Sequence, residues 1–122
     1  MLDTRGMRFG KFDFGAIEID GVRYEHDVVI DRGKIRKRKK KPSRKFRDEF
    51  GHTPLSTEEE IPWRCRHLLI GTGMYGALPL MKDLKHEAER KKIDLQAMPT
   101  AEAIKALAKS PEDTNAILHV TC

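Results

Sequence analysis

Two stretches of the chain carry residue types and spacings that suit chemistry. The first is Gly71-Thr72-Gly73-Met74-Tyr75-Gly76, which spells G-x-G-x-x-G. It follows the apolar run Leu68-Leu69-Ile70 and precedes a helical pattern. In that setting glycines let backbone amides approach an anion closely, and the amino terminus of the next helix favours negative charge. A dinucleotide fingerprint also asks for an acid about 20 residues on, at the carboxy end of the second strand, to hold a ribose hydroxyl. Here that strand ends Gln96-Ala97-Met98-Pro99, Asp94 sits at its start, and Pro79 delays the helix. What remains is a pocket for an anion or small ligand, or simply a tight strand-to-helix turn.

The second stretch is basic. The net charge of +5 is unevenly spread. Residues 34–47 hold ten Lys and Arg and no acid, so they carry +10, and the other 108 residues carry 14 basic and 19 acidic groups, a net of −5. Such charge density favours polyanions by counterion release and needs no special fold. Lys37, Arg38, Lys39, Lys40, Lys41 and Arg44 are the candidates. Only Phe46 interrupts them as an aromatic, so base stacking is not signalled. The plainer alternative is a solvated loop or an edge strand guarded by like charges.

Other reactive types do not assemble into a familiar pattern. Cys65 and His67 share one face of an expected strand, whereas His119 and Cys122, among the last residues of the sequence, lie three apart and point to opposite faces of a strand. Neither spacing is that of a zinc module, so no metal site is expected, and a Cys65–Cys122 disulfide is left open. Ser43, Ser56 and Ser110 occupy no nucleophile elbow. Glu58-Glu59-Glu60 reads as a solvated helix start. No catalytic set and no cofactor are expected.

The elements that must position these residues follow from pattern. Phe9 to Phe14 and the alternating Ala16-Ile17-Glu18-Ile19 read as strands, and Asp20-Gly21 is a hairpin turn needing positive φ at both residues. Val22 to Ile30 continues as a strand, Asp31-Arg32-Gly33 turns, and the basic run starts as an edge strand that Pro42-Ser43 ends. Phe46 to Glu60 is loop-like, with a capping box at Thr57 and Glu60 predicting a helical turn. Cys65–Ile70 reads as a buried strand. Pro79 suits the first turn of a helix running to about Lys92, with Leu80, Leu84 and Ala88 on its apolar face. Ile93 to Met98 is a strand, Thr100 caps a helix with Ile104, Leu107 and Ala108 as its stripe, Ser110-Pro111 ends it, and Ala116 to Thr121 is the last strand. This order predicts an α/β fold with a partly parallel, mixed sheet.

Several of these segments together resemble the Mth nine-three-eight-like domain family (DUF four-nine-eight). They are Leu68-Leu69-Ile70-Gly71-Thr72-Gly73-Met74, Ile93-Asp94-Leu95, Pro99-Thr100-Ala101-Glu102-Ala103 and Ile117-Leu118-His119-Val120-Thr121-Cys122. Ile19-Asp20-Gly21 with Tyr24, and His52-Thr53-Pro54, extend the likeness over nearly the whole chain. The resemblance implies a single three-layer α/β domain, residues 1–122, around a mixed β-sheet with an amino-terminal β-hairpin. It implies assembly and regulatory roles and no assigned reaction. The lysine-arginine run stands where the family often has a tryptophan, and Lys105-Ala106-Leu107 stands where a tyrosine-asparagine pair is common.

The expectation is therefore a non-enzymatic, soluble, cytoplasmic binding or assembly module, with no secretory signal and no apolar run near the ~20 residues that span a bilayer. Its ligand or partner site would comprise Gly71, Thr72, Gly73, Met74, Tyr75, Gly76, Thr100 and His52, and its partner would be a protein or a small anionic ligand. One alternative is an enzyme or cofactor-binding protein that uses the loop for a phosphate-bearing molecule. Another is nucleic-acid contact through residues 34–47.

Overall fold

A computed structural model of the chain describes residues 6–109 and 112–122. A three-stranded antiparallel sheet comes first: β1 (Phe9–Asp13), β2 (Ala16–Ile19) and β3 (Val22–Tyr24). The β2–β3 turn has Asp20 at φ 51° and Gly21 at φ 79°, the doubly positive geometry that Asp-Gly favours. The chain then bends, so the expected strand from Val22 to Ile30 is split. Its second part, β4 (Val28–Asp31), joins another sheet. Asp27 explains the break, because its carboxylate leaves the ladder to accept the Val120 amide at 2.9 Å.

The second sheet has the order β5-β4-β8-β6-β7. It uses β5 (Lys34–Lys37), β6 (His67–Thr72), β7 (Asp94–Met98) and β8 (Thr114–His119). β4 pairs antiparallel with β5 and β8, and β6 runs parallel to both β7 and β8, so the sheet is mixed. The basic run does begin as an edge strand, since β5 has β4 as its one neighbour. A 3-10 turn (Lys41–Phe46) and α1 (Arg47–Phe50) follow where a plain loop was expected.

Alternation along the central strands sends side chains to two cores. Val28, Ile30, Leu69, Ala116 and Leu118 face Ile17 and Ile19 of the small sheet and Ala103 and Leu107 of α3 (Thr100–Leu107). Val29, Leu68, Ile70 and Ile117 face Leu84 and Ala88 of α2 (Lys82–Arg90), together with Leu55, Ile61 and Leu78. The result is the expected three layers. From β6 the chain crosses by α2 to β7 on one side, then by α3 to β8 on the other. The crossovers that leave β6 and β7 therefore lie on opposite faces of the sheet.

Local differences from the sequence reading have local causes. α2 begins at Lys82, because residues 79–81 bridge to Leu55: the Leu55 amide donates to Pro79 O at 2.9 Å and the Met81 amide to Leu55 O at 3.0 Å. β6 extends through Thr72, carrying Gly71 and Thr72 in the strand rather than in the loop. In α3 the cap is Pro99, and Thr100 is the first helical residue with its hydroxyl turned elsewhere. Thr57 to Glu60 makes a turn without a helix. The apolar stripe of α3 is Thr100, Ala103 and Leu107, with Ile104 partly covered and Ala108 exposed. Ser110-Pro111 lies outside the described residues.

Candidate functional site

The glycine loop is occupied by the chain itself. The Gly73 amide donates to Thr100 Oγ1 at 2.8 Å, Met74 to Thr121 O at 2.7 Å, and Tyr75 and Ala77 both to Cys122 O at 3.0 Å. The Gly76 amide turns back to Gly73 O. Carbonyls of residues 121 and 122 thus take the positions an anion would need, and the expected amide cradle at Gly71–Gly76 is filled. Glycine is required there for contact as well as conformation. Gly73 has φ +105°, and a Cβ on it would come within 2.2 Å of the Cys122 carbonyl carbon. A Cβ on Gly71 would meet Thr100 Oγ1 at 2.8 Å. Thr72 and Thr100 are buried, and Thr100 Oγ1 both accepts from Gly73 and donates to His119 O at 2.6 Å. Tyr75 is exposed, tilted against Phe14 with ring centroids 6.4 Å apart.

The basic segment is not uniformly solvated. Arg38, read as a surface contact for polyanions, is 4% exposed. Its guanidinium holds Glu59 through Nε and Nη2 at 2.8 Å each, Asp27 at 2.9 Å and Pro54 O at 3.1 Å. Glu59, read as part of a solvated helix start, is buried by this pairing and also accepts the Ser43 hydroxyl at 2.6 Å, which in turn shares a 2.7 Å hydrogen bond with Ser56. Arg36 and Lys45 pair with Glu60 and Glu58 at the surface. Lys37, Lys39 and Lys41 are exposed.

Asp27 ties this network to the end of β8. Its Oδ2 accepts His119 Nδ1–H at 2.8 Å while Oδ1 takes the Val120 amide. Burial pushes the Asp27 carboxyl up. The His119 hydrogen bond and charge, the Val120 amide and the Arg38 charge outweigh it and bring the group to about 2. Arg38 is held above its ordinary value by Glu59 and Asp27 in spite of burial. Every buried side-chain nitrogen and oxygen among the described residues has a hydrogen-bond partner.

Beside this network lies a cavity of about 390 Å³. Lys40, Arg44, Arg47 and His52 line one part of it, and His119, Thr121 and Cys122 line another, with Arg38 and Leu78 also in the wall. No Asp or Glu among the described residues lines it. Lys40, Arg44 and Arg47 form no ion pair among the described residues. The cavity joins parts of two separate expectations, Lys40, Arg44 and Arg38 from the basic run and His52 from the loop site. Lys37, Lys39, Lys41 and the glycine loop residues are not in its lining. Arg47, His119 and Thr121 complete it and were not singled out from sequence as binding residues. Their only signal was position, with Arg47 ending the basic run and His119 alternating with Thr121 at the end of the last expected strand.

The remaining candidates stay apart. Cys65 donates its thiol to Pro62 O at 3.4 Å, and burial pushes that thiol up to about 11. Both cysteines are free thiols. Among the described residues no group of three or more His, Cys, Asp or Glu could hold a metal ion, and no helix is long and apolar enough to cross a membrane.

Comparison with known proteins places the fold and the chain. The conserved hypothetical protein PH1505 from Pyrococcus horikoshii OT3 is 33% identical, with a TM-score of 0.81 over 95% of this chain and all of that one. The protein MT938 is 27% identical, with a TM-score of 0.71 over 96% of this chain and all of that one. An outer membrane protein from Bartonella henselae, 17% identical over 93% of this chain and 94% of its own, shares the fold at a TM-score of 0.63. No curated protein matches the chain. A family model described as a protein of unknown function (DUF498/DUF598) matches residues 9–113, which agrees with the resemblance read from the Gly71 and Thr100 segments. The chain belongs to the DUF498/DUF598 family.

Proposed function

We propose that this protein is a binding or assembly module, not an enzyme, and that its ligand or partner presents negative charge to the cavity beside the glycine loop. One observation carries the reading. Lys40, Arg44 and Arg47, which form no ion pair among the described residues, line a cavity with two imidazoles and no described Asp or Glu in its wall. Like charges gathered in this way repel one another, and a bound anion relieves that repulsion. The polar groups beneath the cavity are saturated by one another, so they serve as a fixed floor. The site lies at the carboxy end of β8, and ligands of open α/β sheets commonly bind outside strand carboxy ends. A cytoplasmic setting suits two free thiols.

The reading is tested by thermal unfolding with a panel of carboxylates, phosphates and acidic peptides. A ligand at 100 times its dissociation constant stabilises by ~2.7 kcal/mol. Wild type should be stabilised by at least one anion, less so at high salt, and Arg44→Glu/Arg47→Glu should lose the effect. Wild type unmoved by every anion in the panel defeats the reading.

A further inference from the structure

We infer that the cavity takes a small phosphate monoester as its dianion, and that binding draws one proton onto His119. This rests on the anion-binding reading above and adds ligand class and proton linkage to it. The observations are geometric. His119 Nδ1–H donates to Asp27 Oδ2 at 2.8 Å, which fixes the ring and leaves Nε2 on the other side, 3.2 Å from Thr121 Oγ1. His119 and Thr121 both line the cavity. With Nδ1 committed as a donor, Nε2 of the neutral ring can only accept, and the Thr121 hydroxyl fills that role by donating to it. An anion placed against Nε2 meets an acceptor on the neutral ring and a donor on the protonated one.

The charges facing the ring set the direction of the linkage. Lys40, Arg44, Arg47 and the His52 ring share its cavity, Arg38 stands in the wall, and Asp27 lies behind Nδ1. A bound dianion favours a positive charge on the ring from the cavity side, and the Asp27 carboxylate faces the imidazolium from behind. The proton comes from solvent buffer, and no covalent bond forms. On uptake Thr121 gives up its donor role toward Nε2, and its hydroxyl is freed to donate to the anion.

The class of ligand follows from charge and size. Arg44 and Arg47 supply planar guanidinium groups that match tetrahedral oxyanions through paired hydrogen bonds. Three cations suit two negative charges better than the single charge of a monocarboxylate. A volume of about 390 Å³ is at the small end for ligand pockets, which fits a phosphate with a short organic group.

Calorimetric titration with sulfate tests the proton linkage, because sulfate does not titrate near neutrality and any proton exchanged belongs to the protein. Titrations above pH 7 in two buffers of different ionisation enthalpy should show net proton uptake on sulfate binding. Glycerol 3-phosphate should bind more tightly than inorganic phosphate, and acetate should bind far more weakly than either. Arg44→Ala should weaken all of these at least about tenfold. His119→Asn retains an amide donor toward Asp27 but lacks Nε2, and should bind sulfate with little proton uptake. His86→Gln, at an exposed position of α2 outside the cavity lining, should retain the uptake. Sulfate binding without proton uptake, or uptake unchanged in a folded His119→Asn, overturns the inference while leaving the anion site standing. Binding of carboxylates in preference to phosphates does the same. Absence of binding by every anion defeats both.

Discussion

The Arg38 guanidinium and the Glu59 carboxylate meet through two hydrogen bonds of 2.8 Å, with both side chains 2% exposed. Their pairing joins the basic segment to the loop that carries Pro54 and Ser56. A buried ion pair is no guarantee of stability, since desolvation offsets much of the attraction, but removing one partner strands the other. Arg38→Met should therefore cost about 3–5 kcal/mol, and so should Glu59→Leu. The double variant should cost clearly less than the two single losses combined. Urea unfolding of all four proteins gives the coupling. Additive losses would show that the two side chains do not act as a unit.

Asp27 gives the fold a defined acid sensitivity. Its carboxyl is brought from an ordinary 3.8 down to about 2. A carboxyl depressed by folding stabilises the protein above its unfolded value, and this contribution fades as pH falls from about 4 through 2. The shift corresponds to about 2 kcal/mol, because each pKa unit is worth ~1.4 kcal/mol. Urea midpoints measured between pH 5 and 2 should fall in wild type. In Asp27→Asn, which starts lower because Arg38 and His119 lose a charged partner, that part of the pH dependence should vanish. An identical acid profile in the two proteins would assign the sensitivity to other carboxylates.

Gly73 and Gly15 separate conformational strain from collision. Both have strongly positive φ, +105° and +90°, but a Cβ at Gly15 meets nothing within 4 Å. Gly15→Ala should cost about 1–3 kcal/mol through backbone strain alone. At Gly73 the same methyl collides with the Cys122 main chain and, at 2.8 Å, with the His119 ring. Gly73→Ala should cost more, because residues 121 and 122 must leave the Met74, Tyr75 and Ala77 amides. Hydrogen exchange reads this directly, as those three amides should lose protection in Gly73→Ala and retain it in Gly15→Ala. Equal protection in the two variants would mean that the tail adapts without leaving the loop.

The sequence made the layers legible and the site only half so. The unbroken apolar runs Val28-Val29-Ile30 and Leu68-Leu69-Ile70 are set by burial on both faces of their strands, so they are visible in a single sequence. The Asp20-Gly21 turn is equally local. Pro79 misled because its carbonyl answers to Leu55, a partner 24 residues away that no helix rule contains. Thr100 misled in the same way, since a capping rule does not know that Gly73 and His119 O compete for its hydroxyl. The cavity depends on Arg44, His52 and His119 meeting across three elements, and residue spacing along the chain does not encode that encounter. The +10 of the basic run concealed a division of labour: Arg38 turned inward to Glu59, and its neighbours turned outward.

That division predicts two separable binding behaviours. Lys37, Lys39 and Lys41 are exposed and stand outside the cavity lining, whereas Arg44 and Arg47 line it. Small anions should depend on the two arginines, and a long polyanion should draw on the three lysines as well. Each cation that displaces counterions from a nucleic acid contributes a salt-dependence slope of about 0.7–0.9. Anisotropy titrations with a labelled oligonucleotide at rising salt should therefore show a slope reduced by about 2–3 in the triple variant Lys37→Gln/Lys39→Gln/Lys41→Gln. Sulfate affinity should be unchanged in that variant, because the lysines lie outside the cavity. An unaltered oligonucleotide slope would remove the lysine strip as a polyanion surface. Weakened sulfate binding would show instead that the strip and the cavity form one electrostatic site, since long-range charge then sets the affinity that local contacts were assigned.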